Sequence, residues 1–305
     1  MVIYQHDSAI AHTVPTGHPE RPDRLIRLTE MLDKDFGAVA RKQAPLASEA
    51  QLALIHDQTY LDHLYDFAPQ SGLRAIDGDT YLSPQTIEAA KRGAGAACAA
   101  VDDVMTGTQD AAFVAMRPPG HHAEPDRAMG FCFFANAAIA AVHAQKTYGI
   151  ENVAVLDFDV HHGNGTQASF VGKSDCYYAS THQMPLFPGT GHIAEDKTIL
   201  NQPLRAGMDG RDVLDAWVPL LRDLEKAGPE LIIISAGFDA HINDPLASIA
   251  MQSSDFYEVT SRIVALADKT AQGRVISLLE GGYDLDALAH SARYHLKALM
   301  RQGDA

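Results

Sequence analysis

The sequence predicts an α/β fold: a single domain with a mostly parallel central sheet and helices on both faces. Three observations carry that expectation. Short β-branched apolar runs recur, such as Val153–Asp157 and Leu231–Ser235, with the near-continuous hydrophobicity of strands covered on both sides. Longer stretches with helical spacing separate them, the alternation that builds parallel sheets. No Pro/Ser linker, repeat or low-complexity tract divides the 305 residues, so 1–305 reads as one domain.

In chain order, Val2–Tyr4 reads as a short first strand. Arg24–Phe36 is a helix, with Leu25, Leu28, Met31 and Leu32 on one face. Gln51–Ile55 and Tyr60–Phe67 are short helices, and Asp77–Pro84 is a polar loop. Pro84–Met105 is Ala-rich and helical, with Pro84 at an opening position where its missing N–H costs nothing. Ala112–Met116 is a strand and Ala135–Tyr148 a second Ala-rich helix. Strands return at Val153–Asp157, Cys176–Ser180, Leu231–Ser235 and Val275–Leu279. Helices are expected at Asp212–Lys226, Ser254–Asp268 and Asp286–Met300.

Bulk properties exclude several function classes. Hydrophobic residues make up 46% of the chain, enough for a folded core. The formal net charge of −15 argues against direct nucleic-acid binding and suits a cationic substrate, although solubility alone accounts for such a balance. Cys98, Cys132 and Cys176 lie far apart, which argues against a disulfide framework or a Cys-rich zinc site. Met1–His12 lacks the pattern of a secretory signal, and no apolar run is long enough to span a bilayer. A reducing, cytoplasmic setting without membrane partners is expected.

Ligands of parallel α/β sheets bind beyond the carboxyl ends of the strands, so the residues after each strand matter most. Ala112–Met116 leads to Arg-Pro-Pro-Gly-His-His (117–122), and Val153–Asp157 to Asp-Phe-Asp-Val-His-His-Gly-Asn-Gly-Thr-Gln (157–167). Cys176–Ser180 leads to Thr181 and His182, Leu231–Ser235 to Ala-Gly-Phe-Asp-Ala-His (236–241), and Val275–Leu279 to Glu-Gly-Gly-Tyr-Asp (280–284). Asp157, Asp159 and His161 alternate along a strand end, which would place them on one face. Two carboxylates and an imidazole suit a divalent metal with nitrogen and oxygen ligands. A catalytic zinc needs three protein ligands and an open position; Asp159 and His161 supply two, and Asp239, from a separate strand end, is the best third. Asp157 and His162 are poorer ligands. His121-His122, presented by a rigid Pro-Pro-Gly turn, suits proton transfer beside a metal. Tyr283, after two glycines that permit close approach, could donate a hydrogen bond to an oxyanion.

These motifs resemble the zinc-dependent histone deacetylase family, which includes acetylpolyamine amidohydrolases. The resemblance rests on Arg117–His122, Gly130–Asn136, Asp157–Gln167, Ser235–His241 and Glu280–Leu285, together with the His-Pro-Glu-Arg-Pro-Asp-Arg-Leu run at 18–25. It covers nearly the whole chain. The Gly-Asn-Gly-Thr-Gln, Ser-Ala-Gly-Phe-Asp and Leu-Glu-Gly-Gly-Tyr spellings are most similar to the class II branch and its bacterial relatives.

The resemblance implies an arginase/deacetylase-like fold and hydrolysis of acetyl or other acyl groups from acyl-lysine or acylpolyamine amines. It implies Asp159, His161 and Asp239 as zinc ligands, and His121 and His122 as the tandem histidines, with His122 the general base and acid. Asp157 matches the partner of His121, and Asn164 the partner of His122 where other branches carry Asp. Tyr283 matches the tyrosine that hydrogen-bonds the substrate carbonyl. Gly130, Phe131 and Phe187 match the walls of a narrow acyl-lysine tunnel with Asp79 at its rim. Asp157, Asp159, His161, Ser180 and Thr181 match a potassium site, and Phe170, Lys173 and Cys176 a second one. The segment from Gly191 to Leu204 is shorter than its family counterpart, which leaves the rim loops and substrate choice open. The rivals are an arginase-type ureohydrolase, which needs further carboxylates to bridge two metals, and a non-catalytic binder of acylated lysine or polyamine, which would usually lack a ligand or the tyrosine.

Overall fold

The computed structural model describes residues 1–192 and 196–303. In chain order the elements are β1 (Val2–Gln5), α1 (Ser8–Ala11), α2 (Asp23–Asp35), β2 (Ala40–Gln43), α3 (Glu49–Leu52), α4 (Gln58–Phe67), β3 (Arg74–Ala75), β4 (Tyr81–Leu82) and α5 (Thr86–Met105). There follow β5 (Ala111–Val114), α6 (Asn136–Tyr148), β6 (Val153–Asp157), α7 (Asn164–Phe170), β7 (Cys176–Gln183), β8 (Ile199–Leu204), α8 (Gly210–Ala227), β9 (Leu231–Ala236), α9 (Asp255–Thr270), β10 (Val275–Leu279) and α10 (Leu285–Leu299).

Eight strands form one sheet in the order β2-β1-β5-β10-β9-β6-β7-β8, and every pairing is parallel. The apolar runs that announced strands are its centre: every residue of β5, β6, β9 and β10 is buried, which requires cover on both faces. One helical layer is α5 against α6; the other runs α2, α10, α9 and α8. The apolar face read in α2 is the buried one, with Leu25, Leu28, Met31 and Leu32 joined by Arg24. In α8, Asp209 accepts the backbone N–H groups of Arg211 and Asp212 in a capping box, and left-handed Gly228 ends the helix.

Several elements differ from expectation. The edge strands β2 (Ala-Arg-Lys-Gln) and β8 (Ile-Leu-Asn-Gln-Pro-Leu) have few fully buried positions, so the apolar signal that marks central strands is missing. β7 runs on to Gln183, which puts Thr181 and His182 inside the strand and not after it. Helix α7 opens directly from the Gly163 turn, and α5 starts at Thr86, two residues beyond Pro84. The loop expected at 77–84 carries β4, which pairs antiparallel with β3. Of the short segment from Gly191 to Leu204, residues 193–195 lie outside the described residues and 199–204 form β8. Among the described residues no helix is long and apolar enough to cross a membrane.

The topology matters for chemistry because β5, β10, β9 and β6 are consecutive neighbours in the sheet. Their carboxyl ends lead respectively into His121-His122, Tyr283, Asp239 and Asp159–His161. Residues scattered over more than half the chain thus converge at one edge of the sheet.

Candidate active site and metal centre

Asp159, His161 and Asp239 are buried, and one ligand atom of each lies within 4.8 Å of the other two. The strand ends at Asp157, so Asp159 and His161 are presented by the following loop and not by the pleat of the strand. The loop is shaped by its own carboxylates: Asp157 Oδ1 accepts the Asp159 N–H at 3.1 Å, and Asp159 Oδ1 accepts the His161 N–H at 2.9 Å. Asp239 is oriented from a second strand end, where its Oδ1 accepts the Val160 N–H at 2.9 Å. These bonds leave His161 Nδ1 facing Asp159 Oδ1 and Asp239 Oδ2, each at 3.1 Å.

This donor set fits a divalent cation. Burial pulls the His161 pKa down, yet the hydrogen bonds and charges of Asp159 and Asp239 raise it to about 10. The cluster therefore stabilises a positive charge strongly enough to overcome desolvation. The backbone also leaves it room: a Cβ on Gly281 would stand 2.1 Å from Asp239 Oδ2 and 2.6 Å from Asp159 Oδ2. His162 turns away from the cluster, to Thr190 Oγ1 at 2.7 Å and Gln167 Oε1 at 2.8 Å.

The tandem histidine rings lie 4.0 Å apart between centroids, tilted by 43°, but their environments differ. His121 Nδ1 meets Asp157 Oδ2 at 3.0 Å. Against the pull of burial, the charges of Asp159 and Asp157 raise the His121 pKa to about 10. Burial lowers the His122 pKa well below its ordinary value, and positive charge on His121 and His161 lowers it further. Adjacent groups driven in opposite directions are a common arrangement for acid–base work. His122 Nδ1 meets Asn164 Oδ1 at 2.8 Å, and the Asn164 amide nitrogen donates to Glu124 Oε1 at 2.7 Å. The second bond fixes the amide, so its oxygen faces His122. Neutral His122 then carries its proton on Nδ1 and keeps the Nε2 lone pair free.

Tyr283 sits on a strap, residues 280–283, at the end of β10. Its backbone N–H donates to Asp244 Oδ2 at 2.7 Å, the Arg24 guanidinium lies 4.9 Å from its ring centre, and Phe131 meets it edge-on at 5.9 Å. Burial and the charges of Asp239 and Asp159 push its phenol pKa well above the usual value, so it remains a proton donor. Arg24 is itself paired with Glu20, which Arg117 grips through both carboxylate oxygens at 2.7 Å. Burial opposes ionisation of Glu20, but Arg117 and then Arg24 hold its pKa down to about 2.

His122, His161, Tyr283, Gly130, Phe131, Phe187 and Asp79 all line one cavity of about 520 Å³. Phe187 packs edge-on to His122 at 5.1 Å. Gly130 has φ +54°, and a Cβ there would stand 2.6 Å from His122 Cδ2, so a side chain would clash with the tandem histidine. Asp79 is half-buried, and its backbone carbonyl accepts from His18 Nε2 at 2.8 Å. Of the residues matched to the first potassium site, Asp157 and Ser180 are register partners in the sheet, while the Ser180 hydroxyl bonds His182 Nδ1 at 2.9 Å. Phe170, Lys173 and Cys176 follow one another from the end of α7 to the start of β7; the Lys173 N–H donates to the Phe170 carbonyl at 2.9 Å.

Sequence reasoning missed part of the wall and most of the supporting residues. Leu186, Leu246, Tyr81 and His18 also line the cavity, but among them only His18 lay in a quoted motif. Asp244 and Glu280 are buried carboxylates whose pKa values burial raises to about 7. The signal for them was an acidic residue in an apolar or Gly-rich strand-end context, which by itself does not separate a ligand from a tether.

Known proteins share this sequence and fold. Residues 18–299 match the histone deacetylase domain. The histone deacetylase-like amidohydrolase of Pseudomonas aeruginosa is 41% identical, over 88% of this chain and 73% of its own length. Histone deacetylase 14, chloroplastic, of Arabidopsis thaliana is 35% identical, over 98% of this chain and 76% of its own. The crystal structure of the HDA15 HD domain superposes with a TM-score of 0.91 at 32% identity, covering 98% of this chain and 91% of that one. With a single domain match across nearly its full length and relatives of this identity, the chain belongs to the histone deacetylase family of amidohydrolases.

Proposed function

We propose that this protein is a zinc-dependent deacylase that removes acetyl or other acyl groups from acyl-lysine or acylpolyamine amines. The observation that carries the reading is that His122, His161 and Tyr283 line the same cavity as Phe131 and Phe187. A base, a metal ligand and a phenol donor thus share one cavity with two aromatic rings of the kind that flank a methylene chain. Asp159, His161 and Asp239 would hold the zinc, which when bound would polarise the acyl carbonyl and acidify a water. A further buried carboxylate beside the cluster, Asp157, is engaged by His121 and by the Tyr178 hydroxyl, each at 3.0 Å, which favours one metal over a bridged pair. Potassium is proposed at Asp157, Asp159, His161, Ser180 and Thr181, with a second site at Phe170, Lys173 and Cys176. The three cysteines are free, in keeping with a proposed cytoplasmic setting.

The chain's own residues account for the proton transfers. Neutral His122 accepts a proton from the attacking water at Nε2, while Asn164 holds the imidazole through Nδ1. Tyr283 donates its phenol proton as a hydrogen bond to the carbonyl oxygen as charge builds there. The tandem-histidine pair then protonates the departing amine. The aromatic walls exclude water from the acyl chain, and Asp79 at the mouth offers an acceptor to a cationic or amide-bearing substrate body. Turnover of a panel of acetyl-lysine peptides, acetylpolyamines and longer acyl-lysines, ranked by kcat/KM, tests the reading. Hydrolysis of at least one acyl amide class is expected; a zinc-loaded protein inert on all of them would overturn it.

Asn164 also makes a pH prediction. The base works while His122 is neutral, so the rate falls as pH drops through the His122 pKa. Asn164→Asp places an anion beside Nδ1 and raises that pKa; a neighbouring opposite charge commonly shifts a pKa by about 1–3 units. The half-buried Glu124, already paired with Arg127 at 2.9 Å, can swing toward solvent to admit the new charge. The acidic limb of the kcat/KM profile should move to higher pH by about one unit or more. An unmoved limb would show that His122 is not the group titrating there.

A further inference from the structure

The strap that carries Tyr283 is fastened along its backbone. Glu280 N–H donates to the Ala236 carbonyl at 2.9 Å, and Phe238 N–H to the Gly281 carbonyl at 3.0 Å. Gly281 N–H donates to Asp159 Oδ2 at 2.8 Å, and Tyr283 N–H to Asp244 Oδ2 at 2.7 Å. The Arg24 guanidinium donates to the carbonyls of Glu280 and Gly282, each at 2.6 Å. None of these bonds uses the Glu280 side chain. That carboxylate is 1% exposed and reaches across to the neighbouring strand end. Its Oε2 accepts the backbone N–H groups of Gly120 at 2.7 Å and His121 at 3.2 Å, and its Oε1 accepts from the Ser235 hydroxyl at 3.2 Å.

Two consecutive N–H groups at the head of the tandem-histidine turn are therefore satisfied by one side chain from the tyrosine strap. The geometry points to Glu280 as a positioning residue that sets the tandem-histidine turn, and with it the His122 imidazole, against the Tyr283 strap. The inference rests on the deacylase reading. Because the strap is tied elsewhere, losing the Glu280 contact leaves Tyr283 in place; the histidine turn keeps the Gly165 and Thr166 N–H groups on its His121 carbonyl but loses the acceptor of its Gly120 and His121 N–H groups and shifts. Glu280 acts through reach and acceptor geometry, not through its charge. Gln at this position keeps an oxygen toward the two N–H groups and turns its amide to Ser235. Asp keeps the charge but is one methylene too short.

A three-variant series separates these roles, with wild-type protein and zinc content measured alongside. Displacing a reacting group by about 1 Å commonly costs about 10²-fold. Glu280→Asp and Glu280→Met should each lower kcat about 10- to 100-fold, with KM within about 3-fold and zinc stoichiometry unchanged. Glu280→Gln should stay within a few-fold of wild type. In a His122→Ala background, Glu280→Asp should cost nothing further, because the group it positions is gone. A merely structural role would impose the same loss in both backgrounds. If Glu280→Met fails to fold, the Asp and Gln variants alone decide the matter. Activity that follows charge, with Asp active and Gln impaired, would overturn the proposal, as would wild-type kcat in all three. Failure of the deacylase reading would look different: wild-type protein inert on acyl amides, or indifferent to His122→Ala.

Discussion

Tyr283→Phe is expected to lower kcat about 10²–10³-fold, the usual cost of removing one oxyanion donor, while zinc stays bound. The variant is clean because nothing else depends on the hydroxyl. The ring is held by Arg24 and Phe131, and the backbone by Asp244, and all three contacts survive in Phe. The phenol makes no hydrogen bond to a protein group among the described residues, so its removal leaves no buried partner unsatisfied. Its raised pKa keeps it a donor across the neutral range, so the loss should not depend on pH there. Steady-state kinetics with metal analysis measures both sides. Near-normal turnover would remove Tyr283 from the mechanism.

Asp239→Asn is expected to abolish activity by a different route. The substitution keeps an oxygen for the Val160 N–H but replaces the carboxylate oxygen facing His161 with an amide nitrogen. Loss of residues that merely support a metal ligand costs about 10–100-fold in affinity or activity, so loss of a ligand's charge should exceed about 10²-fold. Added zinc should raise Tm in the wild type and not in Asp239→Asn. An equal rise in both proteins would mean that Asp239 does not hold the metal.

Much of this was legible from strand ends. The central strands are fully buried and spell themselves in Val, Ile and Leu, so their carboxyl termini, and the polar residues after them, could be read directly. Asp159, His161, Asp239, the His121-His122 pair and Tyr283 stood out because metal and acid–base chemistry restricts residue type; the choice of His122 as the base came from the family resemblance. Edge strands were not legible: β2 is Ala-Arg-Lys-Gln, chosen for a half-exposed rim and not for a core. The side-chain tethers were equally hidden. Glu280 and Asp244 work by accepting backbone N–H groups from residues 160 and 39 positions away, a pairing that local pattern does not encode. The same holds for Leu186 and Leu246, which join the cavity lining only in the folded chain.

The proposed function requires one catalytic metal held beside His122 and Tyr283. The direct measurement is a zinc titration of chelator-stripped wild type and Asp239→Asn, following bound metal and acyl-amide hydrolysis in the same samples. Wild-type activity should rise from near zero and level off at one zinc per chain, with Asp239→Asn binding little and staying silent. Full activity in the stripped protein, or a plateau reached only at two metals per chain, would contradict it.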